Sequence, residues 1–435
     1  MLEYIGFTIF FFVIILLLVF KVSPVPVFII VPVLGALVSG FSIQEIGEMI
    51  ESGLMQVMNI GIMFIFAMLF FGIISDAGLF NPLTDKLKKM AGNNIILITI
   101  ATALIAMVSH LDGSGASTLL ITIPALLPVY KRLQMNPLLL LLIVALSAGV
   151  MNLVPWGGPL ARVAAVLGVD PGELWVPLIP VQITGIILVL CIAIYLGIKE
   201  KRRVTYLQNV SNQHVTAASD ENYEMSTLVR PKLWWFNFTL TSITIITLVL
   251  TSIPFSTVFM MSFSIALFVN YPNGALQVNR IRAHATEAFM LTTILLAAGA
   301  FLGVINGTGM VEQMTIGLLS IIPEGLSTYL HIIIGIFSVP LLFILPPDAY
   351  LFAFVSLIVE VVGQYGVPPK SAVYAIIIGA TIGGYVSPLI PATYLAIGLA
   401  KVDLVHHIRY SLCWIWGLSI ILLFVAVLLG IVTII

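Results

Sequence analysis

The stretch His110–Thr118 reads HLDGSGAST and lies between two nearly uncharged apolar runs. Asp112 is its acid, and Gly113, Ser114, Gly115 and Ser117 carry little side-chain bulk. An acid at membrane depth costs about 2.5–3.5 kcal/mol on insertion scales and is by default functional. Small residues at a helix start let free N–H groups and the positive helix end touch an anion. Packing between helices is the other use of the same composition. A second acid, Asp348, stands in LPPDAY, and Arg162 follows Pro159 by three residues in NLVPWGGPLAR. A guanidinium stays protonated and holds a carboxylate through two parallel hydrogen bonds. A structural pair with Asp112 or Asp348 is its alternative role. Both aspartates are candidate proton carriers, because burial and a nearby arginine act in opposite senses on a carboxylate. Standing partnership with backbone N–H groups or a cation is the bland alternative. His110 is read as a hydrogen-bonded helix residue, and Asp76 and Glu287 as interfacial; His331 and Glu360 lie near the ends of their segments.

These groups sit in a chain of 435 residues, of which 60% are hydrophobic and 9% charged. Soluble domains carry about 25% charged residues, so the composition is that of a polytopic membrane protein. No basic stripe suits nucleic acid, and Cys191 and Cys413, each inside an apolar run, are expected to be packing residues without disulfide or metal roles. The first apolar run lacks a small-residue cleavage pattern after it and is expected to be a spanning helix. Placing 199–232 in the cytoplasm as a solvated linker puts 16 of the 18 Lys and Arg on the inner side, as the positive-inside rule requires. The exceptions are Lys370, in an outer loop, and Arg162, inside the membrane.

The chain also repeats itself. FGIISDAGLF (71–80) resembles LGVINGTGMV (302–311), and MNLVPWGGPLARVAAVLGVD (151–170) resembles GYVSPLIPATYLAIGLAKVD (384–403), at offsets of 231 and 233. With about five crossings per half, the second copy enters from the opposite face, the inverted-repeat plan of secondary transporters. The expected fold is all-α, with repeats at 1–198 and 233–435. Each has about five spanning helices, one of them broken (138–168 and 371–400), and one re-entrant hairpin (92–132 from the inner side, 326–364 from the outer). Two full crossings remain the alternative for each hairpin. Pro155, Pro159, Gly157 and Gly158 stop the first broken helix, and VSPLIP stops the second. Unwound backbone at this depth must face protein or a water-filled cavity. The second half has no basic residue matching Arg162, an asymmetry that suits an anion held mainly from one side.

HLDGSGAST and NLVPWGGPLARVAAVLG, with LPPDAY and VSPLIPATYL, resemble the citrate-divalent metal/proton symporter family (CitMHS) of the ion transporter superfamily, across essentially the whole chain. The resemblance implies uptake of citrate complexed with Mg²⁺ or Ca²⁺, in symport with protons, across the bacterial cytoplasmic membrane. It also implies a scaffold and a moving transport domain, and a homodimer. No permanently bound cofactor is implied, because the metal enters with the substrate; a citrate-chelated ion needs no dense carboxylate cage. Carried over, the site comprises the first tip (Asp112, Gly113, Ser114, Gly115, Ser117) and the first break (Asn152, Pro155, Trp156, Gly157, Gly158) with Arg162. From the second half come the second tip (Pro347, Asp348, Tyr350) and the second break (Ser387, Pro388, Thr393).

Three rival readings remain at the level of sequence. An intramembrane aspartyl protease needs two acids close enough to share a proton, whereas these belong to separate repeat copies. A channel would conduct without coupling to pH. Transport of another carboxylate or hydroxy acid is the nearest competitor.

Overall fold

The computed structural model describes residues 2–211, 228–251, 253–320 and 323–434, and these contain no strand. The first half runs α1 (Leu2–Leu18), α2 (Pro24–Val38), α3 (Ile43–Asp76), α4 (Asn81–Ala91), α5 (Ile95–Ser109), α6 (Gly115–Arg132), α7 (Pro137–Met151), α8 (Gly158–Leu167) and α9 (Pro171–Ser211). The second runs α10 (Trp234–Leu250), α11 (Phe255–Asn270), α12 (Gly274–Gly307), α13 (Met310–Leu319), α14 (Glu324–Ser327), α15 (Leu330–Leu341), α16 (Val355–Gly363), α17 (Pro369–Gly383), α18 (Pro391–Ala400) and α19 (Leu404–Leu428). Six of the described helical segments are long and apolar enough to cross a membrane.

Apart from the four-residue α14, the helices of the two halves match in order. α3 and α12 are each 34 residues long, α7 and α17 each 15, α8 and α18 each 10. α1, α2, α7 and α8 are shorter apolar helices, whereas α3, α5 with its 3₁₀ turn, α9, α10, α12 and α19 are the candidate spans among the described residues. α5 and α6 form the first hairpin, turning through a 3₁₀ segment at His110–Asp112 and Gly113, whose φ of 73° is the left-handed conformation that glycine adopts freely. α15 and α16 form the second, with a π-helical stretch at Ala349–Phe354. Polar residues fix the starts: Asn94 caps α5 by accepting from Ile96 N at 3.0 Å, and Asn136 caps α7 by accepting from Leu138 N at 2.9 Å.

Packing divides the helices into two groups. α3 lies along α12, flanked by α2 and α11, while α1 packs on α2 and α13. The hairpins and broken helices pack among themselves with α9 and α19, and α7 meets α17 and α19 across the repeat. The division follows the scaffold and transport domain that the family resemblance implies. The scaffold seam is a backbone contact: a Cβ on Gly53 would collide with the carbonyl oxygen of Gly299 and the backbone of Gly303, the close approach that small residues allow in membranes.

Two sequence expectations need correcting. Cys191 and Cys413 are exposed rather than packed, each on a spanning helix with an outward apolar face that includes Ile187, Ile194 and Phe424. The charged stretch from Lys199 begins as a continuation of α9 rather than as solvated linker. Glu200 is buried there; it accepts from Asn136 N at 2.6 Å and from Arg203 Nε and Nη2 at 2.8 and 2.6 Å. Linker residues 212–227 lie outside the described residues.

Gly53→Val is expected to destabilise the purified protein by on the order of 1–3 kcal/mol through overpacking, read as a lowered Tm in detergent. Gly47→Ala, on the same helix but with nothing within 4 Å of its added Cβ, should leave Tm unchanged or slightly raised.

Candidate substrate site

The break between α7 and α8 covers 152–157. It turns on short-range bonds, Val154 N to Met151 O at 3.2 Å and Gly157 N to Val154 O at 2.9 Å. Gly157 is obligatory there, because a Cβ would press on the carbonyls of Asn152 and Val154. The break is then tied to the first hairpin: the Trp156 indole N–H donates to Leu111 O at 2.8 Å. In the second half the Ser387 hydroxyl donates to Leu342 O at 2.5 Å. At the repeat offset of 233, Ser387 matches Val154 rather than Trp156, so the two bonds are alike in role and not residue for residue. Each break thus satisfies a carbonyl that its hairpin frees at the tip.

Both tips and both breaks meet around one cavity of about 870 Å³, inside the roughly 300–1,000 Å³ range of small-molecule sites. Gly113, Ser114 and Gly115 line it from the first tip, Pro347 and Asp348 from the second, Asn152, Gly158 and Arg162 from the first break, and Pro388 from the second. Its lining extends to Lys21 and Ser23 between α1 and α2.

The first residues of α6, α8 and α18, namely Gly115, Gly158 and Pro391, all line this space. Three helix N-termini with their positive ends thus converge on it. Ser114 caps α6, its hydroxyl accepting from Ser117 N at 3.3 Å; the N–H groups of Gly115 and Ala116 have no partner among the described residues. Arg162 Nε donates to Asp348 Oδ1 at 2.9 Å, with both side chains about one-sixth exposed. The structural-pair alternative for Arg162 therefore holds in this state, but it occupies only Nε. The two η nitrogens have no partner among the described residues and form the edge that can grip a carboxylate with parallel bonds.

Eight expected site residues lie outside the lining. Asp112 is buried in the hairpin turn, Oδ1 accepting from Ser114 N at 2.8 Å and Oδ2 from the Ser117 hydroxyl. It shapes the tip from behind, and Ser117 turns toward it. Pro155 and Gly157 build the break, and Trp156 packs among Phe71, Trp175 and Phe259. Tyr350 is fully buried, donating to Ser338 Oγ at 2.9 Å, while Ser387 serves Leu342 as above. Thr393 is fully buried and its hydroxyl lacks a partner. His110 is a buried, hydrogen-bonded residue, Nδ1 lying 2.7 Å from Thr118 Oγ1.

The sequence reading of Glu287 as interfacial did not assign it to the site. This α12 residue lines the cavity, and its Oε1 accepts from the Ser114 hydroxyl at 2.6 Å, bridging scaffold and hairpin tip. Asp76 pairs with Arg280 at 3.2 Å and His284 at 2.8 Å where α3 meets α12. Tyr385, beside the second break, also lines the site, and its hydroxyl fills the space a side chain on Gly115 would need. Its place within GYVSPLIP was the available signal. For Glu287, 173 residues from Ser114 in sequence, there was none. Neither site aspartate hydrogen bonds the other, and among the described residues no cluster of three His, Cys, Asp or Glu could hold a metal ion.

Comparison with known proteins agrees with this arrangement. The CitMHS citrate transporter family model matches residues 9–379. A citrate transporter of Bacillus subtilis (strain 168) is 40% identical over 413 residues, 95% of each chain. A Mg(2+)/citrate complex secondary transporter of the same organism is 37% identical over 436 residues, the full length of both. Among solved structures, the crystal structure of the Alcanivorax borkumensis YdaH transporter aligns with a TM-score of 0.55 at 14% identity over 88% of each chain, a likeness of fold alone. With a family match over most of its length and full-length relatives well above 30% identity, the chain belongs to the CitMHS citrate transporter family.

Proposed function

We propose that this protein takes up citrate, complexed with a divalent cation such as Mg²⁺ or Ca²⁺, by proton symport across the bacterial cytoplasmic membrane, working as a homodimer. The observation that carries this reading is the cavity itself. Three helix N-termini and the free edge of Arg162 face one space between the oppositely inserted tips. Such a space favours a ligand with several carboxylates. The names of the two Bacillus subtilis relatives support citrate, and one of them supports its Mg²⁺ complex.

The chemistry needed is capture and release. Substrate carboxylates take the η edge of Arg162, the open N–H groups of Gly115 and Ala116, and the amide of Asn152. The cation arrives already chelated, so the protein need not supply a full coordination shell. A substrate carboxylate on the η edge and Asp348 on Nε repel each other across one guanidinium, and a proton on Asp348 relieves that repulsion. This gives a direct way to couple proton and anion movement. Asp112 is the other candidate for the proton, acting through the tip it shapes. Closure of the tips around the ligand, followed by displacement of the transport domain against the scaffold, then exposes the site to the opposite face.

The reading is tested by uptake of labelled citrate into proteoliposomes, with and without Mg²⁺ or Ca²⁺ and with an imposed pH gradient. Cation-dependent uptake accelerated by the gradient is expected; cation-independent uptake of a different acid would replace the substrate while keeping the carrier. Arg162→Lys should leave expression intact and raise the KM for citrate at least tenfold, because a point charge cannot reproduce the planar grip. Asp348→Asn should retain cation-dependent citrate binding yet lose most of the stimulation by a pH gradient. Stimulation equal to wild type would remove Asp348 from the coupling role.

A further inference from the structure

We infer that Glu287 makes this site select the metal complex of citrate over free citrate. The inference rests on the function proposed above and assigns, within it, the residue that reads the cation. Among the described residues four charged side chains line the cavity: Lys21, Arg162, Glu287 and Asp348. Arg162 and Asp348 form an ion pair, and Lys21 lies in the turn between α1 and α2. Glu287 is the lining carboxylate without a cationic partner; its one hydrogen bond comes from the neutral hydroxyl of Ser114 to Oε1, leaving Oε2 open. His284, one turn earlier on α12, is engaged with Asp76, as is Arg280. Asp112 lies behind Ser114, its carboxyl engaged by Ser114 N and the Ser117 hydroxyl.

An open carboxylate at the rim of a site for a tricarboxylate is electrostatically wrong for the bare anion. Glu287 and free citrate repel across a confined, poorly screened space. Chelation by a divalent cation reverses the sign of what Glu287 meets. A hard cation held by citrate keeps positions filled by water, and oxygen ligands suit them. Glu287 then attracts the complex, directly or through such a water, while Arg162 takes the remaining carboxylate on the other side. The same residue holds the Ser114 hydroxyl, so it senses the cation where the hairpin tip must move. Specificity here comes from a repulsive element against the wrong ligand as much as from attraction to the right one.

The test uses the full-length protein in proteoliposomes and compares labelled citrate uptake in excess Mg²⁺ with uptake in EDTA. In the wild-type protein the complex should be strongly preferred. Glu287→Gln should lower the ratio of complexed to free uptake at least tenfold, with uptake of free citrate rising. Glu287→Ala should show the same fall. Glu287→Asp should keep the preference, and Ser114→Ala, which removes the hydrogen bond and leaves the charge, should keep the ratio even where the rate drops. A wild-type ratio in both Glu287→Gln and Glu287→Ala would overturn the assignment. Equal uptake with and without Mg²⁺ by the wild-type protein would overturn the metal-complex reading itself, and this assignment with it.

Discussion

Backbone that stops being helical inside a membrane must find hydrogen-bond partners there, and the rest of this structure depends on how the two breaks meet that demand. Each does so by handing one donor to its neighbouring hairpin: Trp156 to Leu111 O, and Ser387 to Leu342 O. These bonds satisfy carbonyl groups at the tips and hold each tip against its break. They leave the opposite kind of end, the positive starts of α6, α8 and α18, facing the cavity. A site for an anion is the consequence. Close backbone approach explains why Gly113 and Gly157 are glycine: a side chain on the first would press on the Trp156 carbonyl, and one on the second on those of Asn152 and Val154.

Charge is distributed less evenly than backbone. The repeat supplies equivalent tips and breaks, but α8 carries Arg162 where α18 has only apolar and hydroxyl side chains. Asp348 crosses from the second half to partner it, so the guanidinium of the site is held between copies. Glu287 enters from a third direction, on a scaffold helix. A pair between the repeat halves and a carboxylate on the frame give the cavity a polarity that a symmetric duplication alone would lack. In the proposed cycle these are also the contacts that change when the transport domain shifts.

Much of this was legible in the sequence, because glycine, proline and depth-forbidden charge leave marks that apolar residues do not. The hairpins, the breaks, the pairing of the halves and Arg162 were readable from HLDGSGAST, NLVPWGGPLAR and LPPDAY. What could not be read was which way side chains within those motifs turn. Trp156, Tyr350 and Ser387 sit in the right segments but serve packing and carbonyl satisfaction. A motif fixes where the backbone breaks, and neighbours decide which residues face the ligand. Glu287 was beyond reach for a plainer reason: its helix carries basic residues at its start and looks interfacial there, and only tertiary packing brings it to Ser114. The exposure of Cys191 and Cys413 follows the same logic, since in lipid an apolar run has no obligatory inside.

The central claim, that oppositely inserted tips and breaks enclose one anion site with Arg162 at its wall, is tested most directly by the protein in nanodiscs with citrate and Mg²⁺, imaged at a resolution that shows side chains. The account predicts ligand density between Gly113–Gly115 and Asp348, in contact with Arg162. Density elsewhere, or tips packed against each other with no room between them while transport activity is retained, would contradict it.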